Sequence, residues 1–225
     1  MGGGFICKMI KLPNTTLLIF NPAHGANISA KIISFVCSKM HFGDVVHMAD
    51  TPPTIQLAGR HINVPRVDWE EGQRWQAYEL GKYFDTQFML HIETDGFPFN
   101  FHHWDDDFLN YDYIGAPWPP HCLRFGQHNV GNGGCSIQSK KFRDVLWENR
   151  NFYIKGLPSD VFFGMPEIIK QCQLADIKFP PMETAIRFSY ENPIPEFPDW
   201  KYEKSFAFHG KFPSCLPMIQ KALYD

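Results

Sequence analysis

The residues best equipped for chemistry stand where apolar runs end. His91-Ile-Glu93-Thr-Asp95-Gly96 closes an apolar run that reads as a buried strand over Gln87–Glu93. Open α/β sheets bind ligands outside the carboxyl ends of their strands. Glu93 and Asp95, two apart around a turn, can share one hard cation. Mg²⁺ or Mn²⁺ prefers such oxygen ligands and keeps positions free for diphosphate oxygens. An Asx turn ending a strand has the same pattern. Val130-Gly-Asn-Gly-Gly-Cys-Ser136 sets Gly131, Gly133 and Gly134 around Asn132, which permits close approach of backbone to a ligand. Alone it reads as a turn: it lacks the Lys-Ser/Thr of a phosphate loop and lies too late for a dinucleotide fingerprint. Asp160 follows Pro158 and Ser159 at an expected helix start. There it can cap the helix or take a proton from an acceptor hydroxyl. In Phe206-Ala-Phe208-His209-Gly210 the histidine is open to two readings, a metal ligand through a neutral ring nitrogen or a structural residue.

Between Trp104 and Trp118 the chain is rich in acids and aromatics. Three adjacent acids, Asp105 to Asp107, do not all face one point. Tyr113, Gly115 and Trp118 read as a cleft wall, since aromatic faces stack on the C–H faces of sugars. His102, His103 and Asp105 raise a rival, a metal-dependent hydrolase. That chemistry needs a tight multi-histidine cage, and the histidines are scattered along the chain.

The elements that must carry these residues follow from hydrophobic pattern. Thr15–Phe20 reads as a buried strand stopped by Asn21-Pro22, and a helix capped by Asn27 or Ser29 runs to about Met40. Asp44–Met48 and Ile62–Val67 read as strands, the second interrupted by Pro65, and Trp69–Phe84 as a helix. This order of elements predicts a mostly parallel sheet. Past Asp95 come irregular loops rich in aromatics, Pro and His. Then follow a strand-like piece within Gly131–Ser139, a helix over Lys140–Glu148 and another beginning across Asp160–Cys172.

The 225 residues suit one α/β unit with a core of its own. A net charge of −3 without a Lys/Arg block argues against nucleic acid as a partner. The six cysteines have irregular spacing and form no C-x-x-C, which argues against a disulfide scaffold and a zinc module. Reduced thiols in a cytoplasmic setting are expected. No run is long enough for a transmembrane segment, and the first residues have no apolar signal core.

In their order, HIETDG (91–96), DDFLNYDYIGAPW (106–118), VGNGGCSIQSKKF (130–142), SDVFF (159–163) and FAFHG (206–210) resemble the DUF5672 family, a GT-A-like glycosyltransferase group. DYIGAPW and VGNGG together are specific, and the resemblance runs from roughly Phe88 to Gly210. It implies an α/β, GT-A-like fold with a Rossmann-like, mostly parallel sheet flanked by helices, in one unit over 1–225. About 13–95 would be the nucleotide-binding half, and about 96–225 the donor-sugar and acceptor half. By position, Glu93 and Asp95 look like the D-x-D metal element, with Glu in the first place. His209 is similar to the late histidine that completes such a metal site, and Gly131, Asn132, Gly133 and Gly134 would shape the donor-sugar pocket. Asp160 resembles the base of inverting relatives, with Ser159 where the family commonly has Glu. The implied activity is divalent-metal-dependent transfer from a nucleotide-sugar donor to a glycan or other hydroxyl acceptor, with inversion through Asp160. The alternative is a catalytically degenerate nucleotide- or glycan-binding protein of the same fold.

Overall fold

The structure is a computed structural model that describes residues 9–23, 25–119, 131–210 and 220. Val130, the first four residues, Cys7, Cys122 and Cys215 lie outside the described residues.

Strand β1 (Ile10–Asn21) is followed by helix α1 (Ala26–Cys37), strand β2 (Met40–Ala49) and strand β3 (Arg60–Asn63). β1 is longer than its apolar core predicts, and its pairing with β2 shifts between Leu12 and Thr16, around Pro13. A proline cannot donate to the ladder, so a break there is expected. α1 begins earlier than predicted, without a side-chain cap. Asn27 instead accepts the Thr54 backbone N–H at 2.8 Å, and the Ser29 hydroxyl turns inward to His47 at 2.8 Å. β3 stops short of Pro65 rather than running through it.

Helix α2 (Trp69–Arg74) is capped by Asp68, whose carboxylate accepts from Glu71 N. The expected single helix to Phe84 changes pitch twice. It widens to a π turn over Trp75–Glu79 and tightens to a 3₁₀ turn over Leu80–Tyr83. Strand β4 (Phe88–Ile92) then enters the sheet fully buried. After short β5 (Gly96–Pro98) and β6 (Tyr113–Ile114) comes β7 (Cys135–Ser139), with α3 (Lys140–Glu148) behind it. The helix expected across Asp160–Cys172 is two, α4 (Ser159–Phe163) and α5 (Pro166–Leu174), parted where Pro166 opens a new first turn. Helix α6 (Met182–Phe188), β8 (Ser189–Tyr190) and β9 (Ala207–His209) follow.

The main sheet has the order β3-β2-β1-β4-β7-β6. The pairs β1/β2, β1/β4 and β2/β3 are parallel, while β7 runs antiparallel to both β4 and β6. The fold is thus α/β on a mixed, mostly parallel sheet. Strand residues alternate between two cores, as a period of two requires. Leu17, Ile19, Leu90 and Ile92 pack with α1 and the Phe97–Phe208 cluster, and Leu18, Phe20 and Met89 pack beneath Leu80 and Phe84. From β1 the chain moves outward to β2 and β3, then crosses back to β4 on the other side. The carboxyl ends of β1 and β4 therefore flank a topological switch point, where such sheets open a crevice. A second sheet, β5-β9-β8, registers Gly96 opposite His209.

Candidate active site

The end of β4 is turned by a tight hairpin. Glu93 and Gly96 exchange backbone hydrogen bonds at 2.8 and 3.2 Å, with Thr94 and Asp95 at the tip. The β5/β9 ladder brings His209 to the same point, and Gly210 N donates to the Asp95 carbonyl at 2.8 Å. One ligand atom each of Glu93, Asp95 and His209 lies within 4.8 Å of the others. Two carboxylate oxygens and an imidazole nitrogen form a donor set that suits a divalent cation such as Mn²⁺.

The glycine segment makes room for this cluster. Ile92 pairs with Cys135, so the residues before β7 lie beside the end of β4. A side chain on Gly134 would stand 2.2 Å from His209 Nε2, and one on Gly96 2.7 Å from His209 Cδ2. The imidazole therefore occupies space that both glycines leave open. Gly133 has another neighbour: its added carbon would meet Asp160 at an ordinary 3.7 Å. Its carbonyl lies 2.9 Å from the buried His91 ring.

Asp160 sits in the first turn of α4, and its carboxylate accepts from Val161 N at 2.9 Å. A small cavity of about 130 Å³ gathers Asp160, His209, Glu93, Gly133, Gly134 and Gln76. A larger cleft of about 550 Å³ lies at the ends of β1 and β4, walled by Phe20, Asn21, Asp68, Trp69 and Asp95 among others. The two share Gln73, Gln76 and Glu93.

The electrostatics separate the acids. Burial drives the Asp160 carboxyl up to about 7, helped by the charge of Glu191 and opposed by His209. Burial also works against ionised Glu93, but His209, His91 and Gln76 outweigh it and hold Glu93 down at about 2. For His209, burial disfavours the cation, yet hydrogen bonds and charge from Glu191 and Glu93 raise it well above an ordinary imidazole. The ring lies between them, Nδ1 3.3 Å from Glu191 and Nε2 3.5 Å from Glu93. A carboxylate behind Nδ1 leaves Nε2 as the atom that can bind a cation, the usual second partner of a metal-bound histidine.

Sequence reasoning placed Glu93, Asp95, Asp160, His209, Gly133 and Gly134, and the structure brings these together. The cleft-wall expectation needs correcting. Tyr113 is fully buried in the core under α3 and α4 and donates its hydroxyl to the Gly131 carbonyl at 2.7 Å, so its ring has no free face. Trp118 is buried with its ring beside Gly131, and Gly115 faces the Asn132 carbonyl. Asn132 turns its carboxamide oxygen to the Gly134 N–H. Gly115, Trp118, Gly131 and Asn132 are thus not among the residues lining the two cavities. The rival histidine cage does not form among the described residues. The His102 and His103 rings lie tilted against each other, His103 meets the Glu203 carbonyl, and Asp105 pairs with Arg187.

Three residues of the site escaped the sequence. Gln73 and Gln76 are three apart on α2 and its π turn, a spacing that puts them on one face, but glutamine pairs on helices are common. Glu191 arrives only because β8 lies parallel to β9, a pairing without a local signal.

No curated protein matches the chain. Among solved structures, it is similar to a glycosyltransferase involved in the glycosylation of the major capsid of PBCV-1. That alignment has 12% identity and a TM-score of 0.48, and covers 92% of this chain and 98% of that one. It is also similar to an active-site mutant of LgtC, with 13% identity and a TM-score of 0.45, over 91% of this chain and 88% of that one. The bifunctional IspDF from Campylobacter jejuni aligns at 11% identity and a TM-score of 0.40, over 77% of this chain and 55% of that one. Residues 78–218, more than half the chain and all of the acid, glycine and histidine segments of the site, match the family described as "Protein of unknown function (DUF5672)", and it is to this family that the chain belongs.

Proposed function

We propose that this chain is a GT-A-like glycosyltransferase that moves a sugar from a nucleotide-sugar donor to a hydroxyl of an acceptor. The observation that carries the reading is the meeting of two kinds of group around one small cavity. Glu93, Asp95 and His209 can hold a divalent cation, and Asp160 stands across from them with a carboxyl poised near neutrality. The adjoining cleft has the apolar and polar walls that a nucleoside needs. When bound, a cation supplies charge neutralisation for the departing diphosphate. Asp160 accepts the proton of the attacking hydroxyl, which calls for a base titrating near the working pH. Gly134 yields its side-chain space to the His209 imidazole, and Gly133 lines the cavity beside Asp160 with backbone alone. We assign the stretch about 13–95 to the nucleotide and about 96–225 to donor sugar and acceptor.

Thermal shift with UDP, GDP, CMP and their sugars, with and without Mn²⁺, tests this, because a ligand specific for the folded state raises its apparent stability. One nucleotide diphosphate should stabilise the protein only with Mn²⁺, and Asp95→Ala should abolish the effect. Stabilisation with no transfer to any acceptor and no donor hydrolysis would instead identify a degenerate binding protein. Absence of any response in the folded protein would sink the glycosyltransferase reading.

A further inference from the structure

We propose that Gln76 is a positioning residue of the cation site: its carboxamide fixes the Glu93 carboxylate from behind, and its backbone is fixed in turn by the buried Arg143. The inference rests on the reading of Glu93, Asp95 and His209 as ligands.

Gln76 Nε2 donates to Glu93 Oε1 at 3.0 Å, and the Ser159 hydroxyl donates to Gln76 Oε1 at 3.2 Å. The orientation is forced, because an ionised carboxylate only accepts, so the NH₂ must face Glu93 and the oxygen must face Ser159. No other neutral side chain of that length offers a donor and an acceptor at once. Glu93 keeps its second oxygen on the side of His209, 3.5 Å from Nε2. Next to this bond, Gln73 Oε1 accepts the Ser159 N–H at 2.8 Å, so the helix that carries Asp160 is tied to the same short segment.

The segment is held unusually firmly. Gln76 lies in the π turn, and π turns inside helices are frequent at functional sites. Its carbonyl accepts from Arg143 Nη1 at 2.8 Å, and the same nitrogen reaches Gln138 Oε1 at 3.1 Å. Arg143 has no exposed surface, and its Nε and Nη2 have no hydrogen-bond partner among the described residues. Burying a guanidinium so incompletely satisfied costs stability. Gly81 leaves the space for it, since a side chain there would stand 2.9 Å from Arg143 Cβ. A chain that only filled its core would place an apolar residue at Arg143. An arginine there ties down the backbone carbonyl of Gln76.

The test is titration of Mn²⁺ alone, followed by the loss of the free-ion resonance, into wild type, Gln76→Ala, Gln76→Met and Asp95→Ala. Thermal midpoints are measured alongside. Groups that orient a ligand typically contribute about 10- to 100-fold to metal affinity. Asp95→Ala should remove binding, and both Gln76 variants should weaken it about 10- to 100-fold at an unchanged midpoint. Gln76→Met keeps the length without charge or donor and decides the matter if Gln76→Ala melts early. Wild-type affinity in a folded Gln76→Met variant, with Asp95→Ala inactive in binding, overturns the positioning role and leaves the cation site standing. A wild type that binds no Mn²⁺ overturns the cation reading and this inference with it.

Discussion

At Gly134 a methyl group would stand 2.2 Å from His209 Nε2, whereas at Gly133 it would meet its nearest atom, on Asp160, at 3.7 Å. The two neighbours should therefore differ sharply. Gly134→Ala pushes the imidazole away from Glu93, and Mn²⁺ affinity should fall by at least about 10-fold, the usual scale for a displaced ligand. Gly133→Ala, with only ordinary contact, should stay within about 3-fold by the same titration. Asp160 carries a second prediction. Asp160→Asn removes the proton acceptor but keeps the shape, so transfer should fall by a factor of about 10² or more while nucleotide affinity holds. As the proposed base Asp160 would act ionised, so wild-type transfer should rise with pH through about 7, a limb absent from any residual activity of the variant. Normal turnover by Asp160→Asn would remove it from the mechanism. At this scale the sequence was most informative where residue type alone dictates chemistry, as for Glu93, Asp95, Asp160 and His209. It misled on Tyr113, because an aromatic ring serves a core and a sugar site equally well.

Among the elements, the second sheet has the greatest leverage on the site. Phe208 is fully buried and meets Phe97 edge-on at 4.9 Å and Phe99 at 5.4 Å. Edge-to-face pairs add to what burial alone contributes. Phe208→Ala should cost about 3–5 kcal/mol of stability in a denaturant melt, the range for truncating a buried aromatic. It should also loosen metal binding, since His209 is the next residue of β9. A loss below about 1 kcal/mol would mean the ladder is held by backbone alone. The apolar runs of β1, β2 and β4 were legible because their pattern is local. The ladder that delivers His209 was not, for strands of three residues carry too little periodicity to be recognised. The π turn was equally hidden. Within it Gln76 bonds Arg143 and Glu93, contacts across the fold that helix propensity does not register.

For the molecule as a whole, acid stability should have a component outside the small cavity. His47 is fully buried, with Ser29 Oγ 2.8 Å from Nε2 and His61 3.0 Å from Nδ1. Burial, then the neighbouring His61, pull its imidazole down from 6.5 to about 4. In that window the unfolded chain binds the proton and the folded one does not, so this group's share of stability falls as pH drops from 6.5 to 4. Urea melts across that range should show wild type losing more stability than His47→Gln; equal slopes would refute the assignment. The architecture was the most legible feature of all. Alternating strands and helices in the first half predict a mostly parallel sheet, as found. The antiparallel β7 depends on partners brought from opposite ends of the irregular stretch.

The β5/β9 register also sets an order of events in the cell. Asp95 and His209 are 114 residues apart in the chain, yet they share one corner. At the usual pace of synthesis the ribosome needs roughly 6–23 s to travel between them. During that interval the carboxylates of the first half have been made and their imidazole has not. A nascent chain can thus assemble its parallel strands before the proposed three-ligand cation site exists, and that site is complete only when β9 closes the second sheet.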